Sequence, residues 1–375
     1  MRHEEDKMGE RWSGRGNGYS SGSGQGESTR PTIRDVARKA NVSIATVSRV
    51  LGGAGLSTPK TTKAVLDAAA VLGFRANRAG QGLRSGVSKI LGIILPSLTN
   101  PIFAECAEAI QCFAQERGWS VLIMTTRYDA ANEMAAFETL MSYSVAGFIV
   151  TVADADDSPV LDAMDREGVP YVLVFNQPRQ PGRDFVSIDN TAASYAATKA
   201  MIDHGHRHLI MIAGSLAQSD RSKRRAEGFS AALNDADLPA GKIIELSFER
   251  DDRDSQLLDL LSQPDRPTGF FCSTDILALR VIGLLKSVGL RVPQDASVVG
   301  FDGISIGGLI APSLATVLQP SYSQGEETCE RLIERISSEK PRWPQGRLLS
   351  FELLERESLG NSPDTAEPIV LPSPT

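Results

Sequence analysis

Two hydrophobic rhythms divide the chain. Between Thr32 and Arg75 apolar residues recur at three- and four-residue spacing, the period of a helix with one buried face. Ile33, Val36, Ala37 and Ala40 mark a first short helix. Thr32 precedes it and Asp35 follows three residues later, a capping box with Asp in place of Glu. After a break at Asn41-Val42, Ser43 caps a second helix from Ile44 to Leu51, with Val47, Val50 and Leu51 on one face and Gly52-Gly53 at its end. A third helix opens near Pro59 and runs to Leu72, with Val65, Leu66, Ala69 and Leu72 at core spacing and Gly73 as its stop.

Beyond residue 89 the rhythm alternates. Short apolar runs read as strands at 89–95, 119–124, 146–150, 170–175, 208–214, 269–272 and 297–301. Amphipathic stretches at 102–117, 130–143, 190–204, 222–236, 253–262, 275–288 and 322–337 read as helices between them. Strand–helix alternation of this kind builds parallel sheets covered by helices on both faces. The length suits two doubly wound halves with a cleft between them better than one large sheet. The fold class expected is therefore α/β: a three-helix helix-turn-helix head on a two-lobed body.

Charge sharpens this division. The whole chain of 375 residues carries −7, yet residues 30–89 hold eleven Lys/Arg against Asp35 and Asp67, a net of +9. Residues 1–29 carry −1 and the rest −15. A basic head on an acidic body points to a polyanion met by the head alone. Residues 1–29 are Gly/Ser-rich and are expected to form a disordered arm. Their glycines do not make a phosphate loop, having no strand before them and no Lys-Ser/Thr after. Residues 361–375 are Pro-rich and polar and are expected to be a second disordered tail. No apolar run reaches 18 residues and the N-terminal stretch has no apolar core, so a cytoplasmic protein is expected. Cys106, Cys112, Cys272 and Cys329 form no CxxC and read as small core residues.

In a helix-turn-helix the second helix lays its N-terminal residues in the DNA major groove. Val47, Val50 and Leu51 must face the head's core, which leaves Ile44, Ala45, Ser48 and Arg49 outward. Arg49 can fork onto guanine, and Ile44 and Ala45 offer apolar contact to a thymine methyl. Thr32, Ser43, Thr46, Ser48 and Asn77 suit phosphate contacts that set register. One head reads too few base pairs for a genome, so a homodimer on a pseudo-palindromic operator is expected.

The string TIRDVARKANVSIATVSRVL (32–51), followed by LGFRANRAGQGLRSG (72–86), resembles the head and hinge of the LacI/GalR repressor family, and the resemblance runs on to ERES (355–358). It implies a head over 30–76, a hinge over 77–89 and an effector-binding, dimerising body over 90–360. It also implies that the hinge becomes a helix on operator and that Leu83 wedges into the minor groove at the operator's centre. Gly80 and Gly82 depart from a stable hinge helix, each disfavouring it by ~1 kcal/mol relative to alanine. For the body the resemblance implies the architecture of periplasmic sugar-binding proteins. One lobe is expected near 90–189 plus 320–347, and the other near 190–318 plus 348–360. The expected function is a repressor whose grip on DNA a small ligand controls, the ligand being a sugar or sugar derivative.

Cleft candidates sit in loops after strands. The resemblance brings Asn100 and Phe103 to the cleft. Asp189 follows another strand, and Arg225 matches R-x-x-G-F, where an arginine points inward to fork onto hydroxyls or a carboxylate. Arg221, Lys223 and Arg224 read as surface charges. Phe248, Asp275 and Asp302 complete the set, with Asp275 equally readable as a helix N-cap. At 175, where the family often carries an acid, this chain has Phe. The histidines of HGHRH (204–208) fall in a helix-to-strand turn with no further ligand nearby, so neither metal nor other cofactor is expected. No nucleophile–base–acid set points to an enzyme. The rival readings are a solute-binding protein feeding a transporter, a sugar-active enzyme, and a regulator that needs a partner protein.

Overall fold

The computed structural model describes residues 31–52, 57–74, 88–246, 254–338 and 344–363, which fall into two compact units. In the first, α1 (Ile33–Ala40), α2 (Ile44–Leu51) and α3 (Pro59–Leu72) enclose Val36, Ala37, Val47, Val65, Ala68 and Ala69. The Thr32 backbone N–H and hydroxyl both donate to Asp35 Oδ2, at 2.9 and 2.7 Å. Asn41 takes a left-handed conformation (φ 53°) that turns the chain out of α1. Ser43 Oγ then accepts from the Thr46 N–H at 3.1 Å and starts α2. Leu66, read above as a core position, is 50% exposed. Val65, Ala68, Ala69 and Leu72 make the i, i+3, i+4, i+7 face, and Leu66 lies one residue, about 100°, off it.

The second unit contains two six-stranded sheets. The first runs β11-β5-β4-β3-β1-β2 and is parallel throughout. Its strands are β1 (Ile90–Leu95), β2 (Ser120–Thr125), β3 (Gly147–Val150), β4 (Tyr171–Val174), β5 (Phe185–Ile188) and β11 (Gly346–Leu349). The second runs β12-β10-β9-β8-β6-β7, with only β12 antiparallel. It comprises β6 (Leu209–Ala213), β7 (Ile243–Glu245), β8 (Gly269–Cys272), β9 (Ser297–Asp302), β10 (Ala315–Leu318) and β12 (Glu352–Leu354). The helices α4 (Pro101–Glu116), α5 (Ala130–Ser142), α6 (Pro159–Glu167) and α11 (Ser321–Ser337) belong with the first sheet. With the second belong α7 (Asn190–Asp203), α8 (Asp220–Asp235), α9 (Asp254–Leu261) and α10 (Asp275–Ser287). The chain therefore crosses between the lobes three times: after β5, after β10 and after β11.

Strands β1, β3, β4, β6, β8 and β9 are apolar and lie in the middle of their sheets, covered on both faces, which is why they read clearly as continuous runs. The edge strand β7 has three residues, and β11 and β12 are half-polar, so neither length nor alternation marked them. Helix α6 also escaped the reading because its nine residues hold Asp162, Asp165, Arg166 and Glu167.

Gly228 shows how tightly the second lobe is built. Helices α7 and α8 pack so closely that a Cβ at 228 would stand 2.1 Å from both the Thr191 carbonyl oxygen and Ser194 Oγ. The glycine of R-x-x-G-F is therefore a helix-contact residue. The carbonyl cannot rotate away, so Gly228→Ala is expected to cost roughly 1–3 kcal/mol. Urea unfolding followed by circular dichroism should show a lower midpoint, and an unchanged midpoint would mean that the two helices part freely.

Candidate functional site

On the head, the burial of Val47 fixes the orientation of α2. Ile44 is 42% exposed, Ala45 and Arg49 are exposed, and Thr46 and Ser48 are half-buried. Ser43 and Thr32, at the two helix starts, are exposed as well. The exposed face of α2 thus carries one guanidinium, two apolar side chains and hydroxyls, the chemistry that reads base edges and phosphates. Asn77 and Leu83, with Gly80 and Gly82, lie outside the described residues.

On the body, a cavity of about 970 Å³ opens at the carboxyl ends of the strands. Both sheets reverse their winding there, β1 against β3 in one lobe and β6 against β8 in the other. At such a reversal the two flanking loops leave in opposite directions and open a crevice. The 96–103 loop, Arg127 and Phe175 line it from the first lobe. Loop 214–219 and the start of α8 line it from the second, with Thr274, Asp302 and Gln319.

Its floor is a charged network that spans the lobes. Asp302 accepts from Asn100 Nδ2 at 3.2 Å and from Gln319 Nε2 at 2.9 Å, and lies 3.6 Å from Arg225 Nη1. Arg225 also donates through Nε to Asn190 Oδ1 at 2.9 Å and through Nη1 to the Ser273 carbonyl. Its guanidinium carbon sits 3.6 Å above the centre of the Phe301 ring, a cation–π contact. Burial pulls Arg225 down to about 10 against the opposing pull of Asp302, and burial pushes Asp302 above the usual carboxylate range. Phe103 forms the apolar wall, edge-on to Phe175 (centroids 5.2 Å apart, 88°) and near Tyr128 (6.3 Å, 63°). Four lining residues hold positive φ: Arg127 at 56°, Tyr128 at 59°, Phe175 at 67° and Asp302 at 116°. Strain of this kind costs of order 1–3 kcal/mol each and concentrates where a side chain must be aimed.

The cavity thus brings together Asn100, Phe103, Arg225 and Asp302. Asp189 and Asp275 stand apart from it. Asp189 is the N-cap of α7, its Oδ1 accepting from the Ala192 N–H at 2.9 Å; the neighbouring Asn190 reaches Arg225 instead. Asp275 is fully buried, accepting from Thr316 Oγ1 at 2.6 Å and the Ile304 N–H at 2.8 Å. The N-cap of α10 is Thr274, not Asp275. Phe248 lies outside the described residues. Arg221 needs the largest correction. Read as a surface charge, it is 5% exposed and lines the cavity. The signal was available, because 221 and 225 lie four apart on one helix face. Lys223 and Arg224 are half-buried as whole residues, and the Lys223 side chain is 42% exposed, as a surface charge should be.

Beside the cavity runs a polar seam between the lobes. Asp220 accepts from Asn176 Nδ2 at 2.8 Å and from the Ala155 N–H at 3.1 Å, and its own N–H donates to the Ala153 carbonyl at 2.7 Å. Arg221 Nη1 donates to the Val152 carbonyl at 2.9 Å, and Lys223 pairs with Asp154 at 2.7 Å. Glu133 Oε1 accepts from the Ala153 N–H at 2.7 Å. His206, from the HGHRH run, is buried and bonded to Thr268 Oγ1 and Ser297 Oγ, each at 2.9 Å. Among the described residues no group of His, Cys, Asp and Glu is arranged to hold a metal, and no helix is long and apolar enough to cross a membrane.

Burial lifts the Glu133 carboxyl from its ordinary 4.5 to about 7. The folded chain therefore holds this proton more tightly than the unfolded one. The stabilisation is complete below about pH 4.5 and is lost as pH rises through 7. Glu133→Gln keeps the acceptor for Ala153 and removes the charge. It is expected to melt higher than the parent at pH 8 and level with it at pH 5, and equal melting at both values would mean that Glu133 is not held protonated.

Comparison with known proteins follows the same division. Residues 32–77 match the profile described as bacterial regulatory proteins, lacI family. Residues 88–347 match that of periplasmic binding proteins and sugar binding domain of LacI family. The chain is similar to catabolite control protein A of Priestia megaterium, 30% identical over 82% of this chain and 93% of the relative. It is also similar to the HTH-type transcriptional repressor PurR of Glaesserella parasuis serovar 5 (strain SH0165), 32% identical over 88% and 98%. Among solved structures it resembles the lac repressor dimer bound to operator and the anti-inducer ONPF, with a TM-score of 0.77, 25% identity and coverage of 88% and 100%. These relatives are transcription regulators, not enzymes. A basic helix-turn-helix and a cleft of two doubly wound lobes, matched along both parts, establish that this chain belongs to the LacI family of DNA-binding, ligand-controlled transcription repressors.

Proposed function

We propose that the protein binds a pseudo-palindromic operator as a homodimer and that a sugar or sugar derivative in the cavity controls its grip. The bare N-terminal face of α2 carries the first part: Ile44, Ala45 and Arg49 are exposed while Val47 anchors the helix from behind. On this reading Arg49 reads a base, Ile44 and Ala45 touch base edges, and Thr32, Ser43, Thr46, Ser48 and Asn77 hold phosphates. Leu83 wedges the operator's centre. The related lac repressor, seen as a dimer on its operator, supports two heads on two half-sites.

For the effector, Asn100, Phe103, Arg225 and Asp302 are the proposed contacts. Asp189 and Asp275 act behind them by fixing α7 and the loop after β9, and Phe248 belongs to the proposed contacts by its place after β7. The family's description as sugar-binding supports the ligand class. Closing of the lobes on ligand alters the spacing of the two heads, so effector and operator must change each other's affinity by the same factor.

Selection from a random-duplex pool with the full-length protein is expected to enrich an inverted repeat. Arg49→Ala should lower affinity for that repeat by about 5- to 150-fold, equivalent to ~1–3 kcal/mol, and relax the preference at one base pair of each half-site. Enrichment of no repeat, or equal affinity of the variant, would overturn the assignment of α2.

A further inference from the structure

Arg221 and Arg225 give the cavity a character that a neutral sugar does not require. The first two turns of α8 aim both into it, and each is 5% exposed. Arg225 uses Nε and Nη1 within the protein, and Arg221 uses Nη1 alone, toward the Val152 carbonyl and Asp220 Oδ1. Among the described residues, Arg225 Nη2 and Arg221 Nε and Nη2 make no hydrogen bond. These nitrogens are also not among the polar atoms sealed in the interior without a partner, so they face the space that both side chains line. They are ready donors at the wall of a cavity.

The balance of charge agrees. Among the described lining residues Asp302 is the one carboxylate, beside the guanidiniums of Arg221 and Arg225. Asp302 is already engaged by Asn100, Gln319 and Arg225. Asp220 and Glu133 stand behind Arg221 at the seam and do not line the cavity. Like charges four apart on a helix repel, and the charge of Arg221 adds to the burial that depresses Arg225. Each guanidinium has one carboxylate beside it, Asp220 at 3.2 Å from Arg221 and Asp302 at 3.6 Å from Arg225, so a bound anion adds a charge-assisted partner at the unused nitrogens. The positive end of the α8 helix dipole acts in the same direction. Around these groups, Ser97, Thr125, Ser215, Ser222 and Thr274 offer hydroxyls, and Phe103 an apolar wall.

We propose that the effector is a small polyhydroxylated anion, a carboxylate or a phosphate ester, whose charged group is received by the open nitrogens of Arg221 and Arg225. This rests on reading the cavity as the effector site. Arg221 carries the specificity: Arg225 is held through Nε, Nη1 and the Phe301 ring, whereas Arg221 meets Val152 and Asp220 through Nη1 alone.

The test uses the full-length protein with gluconate, glucuronate, glucose 6-phosphate, glucose and inorganic phosphate, read by thermal shift and calorimetry. At least one anion is expected to bind about tenfold or more tightly than glucose; the acids and the phosphate ester separate the two sources of charge. Arg221→Gln should weaken that anion about tenfold or more. Arg221→Lys, which keeps charge but not the fork, should fall between and serves where the Gln variant fails to fold. Glucose binding as tightly as its acids, or an unchanged anion affinity in both variants, overturns the proposal. If none of the five binds, a small-molecule cell extract is split on an anion-exchange resin. Stabilisation by the retained fraction alone supports an anionic effector. Stabilisation by the flow-through overturns it and leaves the sensor standing, and stabilisation by neither overturns both.

Discussion

The buried pair of Arg225 and Asp302 is the constraint on which the body depends. Neither charge belongs in an interior unless the other is beside it. Their partners come from widely separated segments: Asn100 on the first lobe, Asn190 at the start of α7, Ser273 after β8 and Gln319 after β10. One carboxylate and one guanidinium therefore register the carboxyl ends of both sheets against each other. The Asn100 bond is the part that crosses between lobes, so the same network that fixes the floor is sensitive to how far the lobes stand apart.

The seam beside it divides this labour. Asp220 and Arg221 are adjacent in sequence, yet one secures the lobes and the other also lines the cavity. Asp220 is bound to the 153–155 loop and Asn176 from the opposite lobe. A ligand that draws on Arg221 pulls on a residue whose Nη1 already grips the Val152 carbonyl. On the proposed reading, ligand contact and lobe contact meet in the same side chain, as they also do at Asn100.

Much of this was legible in the sequence, for physical reasons that also explain the omissions. Thr32–Asp35, Ser43 and Gly73 are local signals, and the head's three helices followed from them. Central strands such as β1 and β8 announced themselves because both faces are covered. The half-polar β11 and β12 did not, because their place is set by partners far along the chain. In the cavity, Arg225 and Asp302 were readable from their motifs and their strand ends. Asp189 and Asp275 do not line the cavity while Thr274 does, since position after a strand does not tell which of two adjacent side chains turns inward. Asn190 had no signal of its own. Arg221 had one, helical spacing from Arg225, and a run of four charged residues in five positions disguised it as solvated surface.

The three crossings between the lobes carry an evolutionary consequence. The head is one continuous stretch and can be exchanged for another by a single recombination event. Neither lobe is continuous: the first needs β11 from beyond the second, and the second needs β12 from beyond that. A splice at one peptide bond inside the body cannot exchange either lobe whole. Head and body can therefore be exchanged as wholes, while the two lobes of a body have to change together.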